Sequence, residues 1–248
     1  MKFKTFMTNM ICATIPCKKT RDIIRIKIKH CAYVNYCKKF ALAHTFGTHH
    51  KVKLTVGSRS RNLIILIDKL YAFKFPLDDN GYDKSIREQR ITDAFSKISP
   101  IHIPKPRIYQ WGDITVRRYD FSHGVLLKQI PTKQIIINKP KIALQIAQFI
   151  YTIGTCDPID ISDLKPDTNI KPSFLRGWFH NDIAENFTIN PTTFEITSFI
   201  DWEDAAFVDF HYGLTQARKS WDKHGLFGMM DDVMNAYATM YSASGKVY

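Results

Sequence analysis

The 248-residue chain has no uninterrupted apolar run near the ~18 residues that a membrane-spanning helix needs, so no membrane span is expected. It shows no internal repeat and no low-complexity linker. Cysteine is sparse: Cys12, Cys17, Cys31 and Cys37 stand near the front, and Cys156 stands alone. Their C-x4-C and C-x5-C spacings are not the tight C-x2-C knuckle of zinc ribbons, even with His30 beside Cys31. An odd count argues against a secreted disulfide framework, so reduced thiols and a cytoplasmic location are expected. In Met1–Cys17 the apolar middle is short and broken by Thr8 and Asn9, and Pro16 makes a poor processing site. A cleaved signal segment is therefore not expected.

Acidic residues are scarce in the front half. Up to Lys74, 16 Lys/Arg face only Asp22 and Asp68, whereas from Phe187 onward four Lys/Arg face eight Asp/Glu. The net charge of +12 is thus polarised along the chain. A basic front half suits phosphate-bearing ligands, nucleic acid or an anionic surface, and equally suits a solvated basic extension. No zinc finger, recognition helix or aromatic RNA-binding signature accompanies it, so nucleic acid is not an expected partner. The 45% of hydrophobic residues argue against a disordered chain.

The length allows one large domain or two lobes sharing a cleft. Residues 1–40 show little periodicity and read as a basic N-terminal extension. Strand-like runs follow: Lys51–Val56, ending at Gly57, then Leu63–Ile67 and Leu70–Pro76 joined by an Asp68-Lys69 turn. After the turn signal Asp78-Asp79-Asn80-Gly81, the spacing of Ile91, Ala94, Phe95 and Ile98 predicts a helix over Lys84–Ile98. Pro100, Pro104 and Pro106 stop it. Short strands are predicted at Arg107–Gln110 and Ile114–Tyr119. A second helix over Lys141–Ile153 places Ala143, Ile146, Ala147 and Ile150 on one face. Phe187–Ile189 and Ile196–Ile200, separated by Asn190-Pro191, read as a hairpin. The end, from Met230 to Tyr241, keeps helical spacing. Strands first and helices second give a two-lobe α+β pattern.

The chemistry concentrates in His180-Asn181-Asp182-Ile183-Ala184-Glu185-Asn186 and, beyond the hairpin, in Ile200-Asp201-Trp202-Glu203. Phosphoryl transfer needs such a set: one carboxylate to orient an acceptor hydroxyl and take its proton, and an Asn with a second Asp to hold magnesium on nucleotide phosphates. A hairpin between them brings both ends to one place.

The stretch Gly177–Leu214 resembles the core motif of the aminoglycoside phosphotransferase and choline kinase-like family. That family's loop reads roughly H-G/N-D-x-x-x-x-N, followed by a hairpin, I-D-W-E/D and a G-D-P-x-Y-D-L-like segment, here Val208–Leu214. The resemblance covers roughly Ala41–Tyr241. It implies a protein-kinase-like α+β fold with a mainly β N-terminal nucleotide-binding lobe, 41–120. A mainly helical catalytic lobe with a short acceptor region, 121–248, follows. It implies transfer of a γ-phosphoryl group from ATP, or another nucleoside triphosphate, to a hydroxylated small molecule such as an aminoglycoside, choline or a sugar. Mg2+ is the implied metal.

By the same resemblance Asp182 is the catalytic base, and Asn186 and Asp201 are the metal ligands. Lys74 contacts nucleotide phosphate and Glu88 positions it. Taken alone, these two read as an exposed strand lysine and a solvated helix glutamate. His180 and Asp209 brace the catalytic loop. Gly47, in Thr45–His50, lies in a loop that either covers phosphates or is a plain turn, since it has neither a G-x-G-x-x-G nor a Walker pattern. The backbone of Tyr119–Phe121 is placed at the adenine. Trp202 reads as core. Two departures stand out. Only three residues separate Asp182 from Asn186, so Glu185 is a possible substitute ligand, and the helix ending near Gly154 lacks the Leu-His pair common there. A non-catalytic nucleotide- or partner-binding module, or a kinase of a protein substrate, is the alternative.

Overall fold

The computed structural model of the chain describes residues 31–45, 50–56, 62–77 and 81–245, together with helical residues 20, 23 and 24. Gly47, the turn residues 78–80 and the cysteines at 12 and 17 lie outside the described residues. The chain divides into two compact units, Met1–Ser85 with Pro106–Phe121, and Ile86–Lys105 with Ser122–Tyr248. Among the described residues no helix is long and apolar enough to cross a membrane.

The first unit is built on an antiparallel sheet: β1 Val52–Val56, β2 Asn62–Ile67, β3 Tyr71–Pro76, β4 Arg107–Trp111 and β5 Ile114–Asp120. The order is β1-β2-β3-β5-β4. Asp68 and Lys69 both take positive φ, 54° and 58°, and the Leu70 N–H closes the turn on Ile67 O at 2.8 Å; Ile67 pairs with Tyr71, so the loop holds three residues and β3 starts one residue after the expected Leu70. Asp68 is held there by the Lys51 N–H at 2.5 Å and by His50 Nδ1 at 2.6 Å. Side chains alternate across the sheet. One face carries Leu63, Ile65, Ile67, Phe73, Phe75 and Val116, all buried.

Helix α1, Cys31–Ala43, covers that face with Val34, Cys37 and Ala41. It straddles residue 40, so the last part of the expected extension belongs to this core. The Tyr33 hydroxyl donates to Pro76 O at 2.6 Å, joining the helix to the end of β3. Burial pushes the Cys37 thiol up to about 12, which keeps it protonated and inert.

The second unit takes up most of helix α2, Tyr82–Phe95. The helix ends three residues before the expected Ile98, where Ile98 and Ser99 turn back onto Phe95 O. Then come β6 Val125–Leu126, α3 Thr132–Ile137, α4 Lys139–Thr155, β7 Arg176–Phe179, β8 Phe187–Ile189, β9 Ile196–Phe199, β10 Ala206–Asp209, α5 Phe210–Lys223 and α6 Met229–Ala243. β6, β8 and β9 form one small sheet, and β7 pairs with β10.

α4 is the centre of this core. It buries Ile142, Ala143, Ile146, Ala147, Phe149, Ile150 and Ile153. Gly154 near its end and Gly177 on β7 let the two backbones meet: a Cβ on Gly177 would lie 2.1 Å from Gly154 O. Gly213 lets α5 reach Phe179 in the same way, its Cβ meeting that ring at 2.0 Å. These approaches fix β7, and β7 leads directly into the motif His180–Asn186.

Candidate active site

In the second unit, β7 delivers the buried pair Trp178 and Phe179, and then the chain turns sharply. Asn181 takes φ 58°, a left-handed conformation that asparagine and glycine adopt at least cost. This is the physical content of the G/N position in the motif. The Asp182 N–H folds back onto His180 O at 2.7 Å. The side-chain amide of Asn186 donates to Asp182 Oδ2 at 2.8 Å, so a three-residue spacer still brings Asn186 beside Asp182. Because a carboxylate only accepts, the nitrogen faces Asp182 and Oδ1 is the end left for another group.

The hairpin β8/β9 then returns the chain to the loop. Ile200 N–H donates to Asn186 O at 2.8 Å, and His180 Nε2 donates to Ile200 O at 2.9 Å. His180 is fully buried and packs edge-on against Trp202, ring centroids 4.9 Å apart. The carbonyl partner fixes the proton on Nε2. Burial lowers the imidazole pKa against the pull of Asp201, Asp182 and Glu88, so the ring is a neutral brace and not a proton carrier.

Asp201 also takes a left-handed φ, 66°. Such a residue stores on the order of 1–3 kcal/mol and needs its surroundings to hold it. The three residues after it are gripped one by one. Trp202 N–H donates to Glu88 Oε1 at 3.2 Å, Arg87 Nη1 donates to Glu203 O at 3.4 Å, and Asn181 Nδ2 donates to Asp204 O at 2.8 Å. Trp202 itself is core, stacked with Phe95 and edge-on to Phe149. Asn181 was legible only as the G/N position of the motif, and Arg87 was not foreseen as a site residue because nothing in its residue type marks a main-chain contact.

The Asp201 charge bears on Asp182. Burial first, and then the Asp201 charge, raise the Asp182 pKa, opposed by His180 and by the Asn186 hydrogen bond. Asp182 is exposed, and solvent contact limits that rise. Glu185 is drawn elsewhere: Oε1 accepts from Ser220 Oγ at 2.9 Å and Oε2 from Lys128 Nζ at 3.3 Å. Its carboxylate is thereby tied to α5 and to the turn after β6, which weighs against its standing in for Asn186.

Asp209 accepts from the His211 N–H at 2.9 Å and caps α5. Its strand pairs with β7, so it stabilises the element that precedes the loop. Among the described residues no group of three or more His, Cys, Asp or Glu side chains is arranged as a metal cage.

Of the residues expected to meet the nucleotide, Glu88 is fully buried on α2 and Lys74 is 7% exposed on β3. Neither is the solvated surface charge that it resembles when taken alone. Tyr119 lies on β5 opposite Ala72. The Phe121 N–H donates to Leu70 O at 2.7 Å, so that donor, expected to face an adenine, serves the sheet instead.

Neither a scan against models of protein families nor a search of curated proteins gave a match. Solved structures do match. A GDP and kanamycin complex of APH(2")-IIia superposes with a TM-score of 0.64 at 18% identity, covering 83% of each chain. The chain has the fold of the aminoglycoside phosphotransferases. The GDP complex of wild-type aminoglycoside 2'-phosphotransferase-IIIa gives a TM-score of 0.58 at 18% identity, over 85% of this chain and 89% of that one. Macrolide 2'-phosphotransferase MphH from Brachybacterium faecium gives 0.55 at 12% identity, over 83% and 82%. An aminoglycoside phosphotransferase fold accounts for both the antiparallel sheet of the first unit and the helical second unit with its inserted hairpin.

Proposed function

We propose that the chain is a phosphotransferase that moves the γ-phosphoryl group of ATP, or of another nucleoside triphosphate, to a hydroxyl of a small molecule. The observation that carries this reading is the convergence of Asp182, Asn186 and Asp201 across the β8/β9 hairpin, in a fold shared with aminoglycoside phosphotransferases. Asp182 orients the acceptor hydroxyl and takes its proton as the O–P bond forms. Its carboxylate suits that task because it is exposed to an acceptor yet more basic than an ordinary aspartate. Lys74 binds nucleotide phosphate, and Glu88 positions it. No residue forms a covalent intermediate; positioning and charge neutralisation supply most of the rate.

The donor set fits Mg2+. Asn186 keeps an amide oxygen beside Asp182, and Asp201 adds a carboxylate close enough to perturb it. Two protein oxygens are what this ion typically accepts when phosphates and waters complete its shell. Bound there, Mg2+ would neutralise phosphate charge as the phosphoryl group transfers. The similar structures hold GDP, kanamycin, or ATP with streptomycin, which supports a nucleotide donor and a polyhydroxylated acceptor here.

An ATP-consumption screen over aminoglycosides, macrolides, choline and sugars tests the proposal, with Asp182→Ala as control. Consumption that requires an acceptor and disappears in the variant is the expected result. Nucleotide binding with no turnover on any acceptor, identical in both proteins, would assign the chain as a binding module.

A further inference from the structure

Asp182 and Asn186 are joined by Ile183, Ala184 and Glu185, which form a turn. Each of these residues is anchored. The Ile183 side chain is fully buried in the core of the second unit. Ala184 O accepts from Trp221 Nε1 at 3.3 Å. Glu185 Oε1 accepts from Ser220 Oγ at 2.9 Å, and Oε2 accepts from Lys128 Nζ at 3.3 Å. Ser220 and Trp221 are consecutive on α5, so one helix holds two consecutive residues of the spacer. That helix is itself pinned, by the Asp209 cap at its start and by the close approach of Gly213 to Phe179. Beyond the spacer, Asn186 O accepts from the Ile200 N–H at 2.8 Å. Asn186 thus sits between two fixed points, the side chain of Glu185 and the main chain of Ile200.

We infer that Glu185 is a positioning residue: by clamping the spacer to α5 and to Lys128, it aims the Asn186 side chain so that its nitrogen meets Asp182 and its oxygen is left for a metal ion. A metal ligand depends on the contacts that lock its direction, and losing one typically costs roughly 10–100-fold in metal affinity. A short spacer has few torsions with which to absorb a twist, so a displacement of Glu185 passes directly to the residue bonded to it. The carboxylate accepts from two donors on separate elements at once. A glutamine in its place keeps an acceptor for Ser220 and loses the one for Lys128. The inference rests on the phosphotransferase reading, and it adds that α5 supports the metal site through this one side chain.

Two measurements on the full chain test it. The first follows the side-chain amide of Asn186 in the metal-free protein by nitrogen–proton correlation spectra, its signal assigned by its absence in Asn186→Ala. The second titrates Mn2+ in the presence of ADP, read by water-proton relaxation. The variants are Glu185→Ala, Glu185→Gln and Ser220→Ala. Glu195→Ala, which removes the ion pair with Lys141 at the hairpin tip, controls for a loss of stability alone. In Glu185→Ala the Asn186 signal is expected to move toward that of a solvated amide, and the Kd for Mn2+ to rise about tenfold or more. Glu185→Gln and Ser220→Ala should shift less in the same direction, and the control should move neither. Melting curves identify the folded variants, and Ser220→Ala decides the matter if Glu185→Ala does not fold. Folded variants with an unmoved signal and an unchanged Kd overturn the positioning role and leave the phosphotransferase reading intact. An Asn186 signal that moves in a protein that holds no Mn2+ keeps the hold of Glu185 on Asn186 and removes the phosphotransferase reading.

Discussion

Asn186 donates its side-chain amide to Asp182 Oδ2 at 2.8 Å, and so the residue expected to hold the metal also tunes the residue expected to hold the proton. Asp182→Ala should remove the base while leaving the amide and Asp201 in place. Turnover should fall by roughly 10²–10⁴-fold, with nucleotide affinity retained. Steady-state rates beside a binding titration separate the two; equal losses in both would mark Asp182 as a structural residue.

The pH dependence follows from the raised Asp182 pKa. Turnover should climb as this carboxyl ionises, with an acidic limb above the ordinary aspartate value of 3.8. Because the Asn186 bond lowers that pKa, Asn186→Ala should move the limb to still higher pH. Stability runs the other way. A carboxyl whose folded pKa is raised contributes fully below its unfolded pKa, and that contribution is lost as pH rises through the folded value. Asp182→Asn should therefore melt on the order of 2 °C higher than wild type at neutral pH, with the gap closing near pH 3.8. A variant no more stable at neutral pH would show that Asp182 pays no penalty for ionising.

Glu185 has the opposite sign. Its burial raises the pKa, but the bond from Ser220 and the charges of Lys128 and His224 outweigh it, leaving a net fall below 4.5. That stabilisation is present above the unfolded pKa and is lost as pH falls through the folded one. Glu185→Gln should lower the melting temperature at neutral pH by on the order of 1–3 °C, and the difference should vanish in acid. Melts at matched ionic strength from neutral pH downward check this.

Gly177→Ala tests how β7 is set. The new methyl would meet Gly154 O at 2.1 Å, a backbone atom with no rotamer to yield. A loss of ~1–3 kcal/mol or more in denaturant unfolding is expected. Activity should suffer even in the folded fraction, because β7 feeds the His180–Asn186 loop. An unchanged midpoint would mean that strand and helix can part without cost.

Much of this molecule was legible beforehand, where one local pattern sufficed. The hairpin at Asp68-Lys69 follows from a turn between apolar runs, and the structure gives both residues positive φ while adding Leu70 to the loop. The β8/β9 hairpin follows from Asn190-Pro191 between short apolar segments, and α4 from its apolar spacing. Elements that depend on distant partners were less visible. α1 uses only Val34, Cys37 and Ala41 to reach the core, too few to show through its polar neighbours. β7 and β10 are four residues each and pair across the whole hairpin. In the site, the motif names His180, Asn181, Asp182, Asn186 and Asp201, whereas Arg87 acts on a main-chain carbonyl and leaves no signature of residue type.

The grip on residues 202–204 has a mechanical meaning. Glu88 and Arg87 are consecutive on one rigid helix and hold main-chain groups of Trp202 and Glu203, the two residues after Asp201. Rotating or sliding that helix would drag the aspartate with it, as a crank turns a shaft. Asp201 should thus have little independent travel, and whatever steadies the helix steadies the carboxylate.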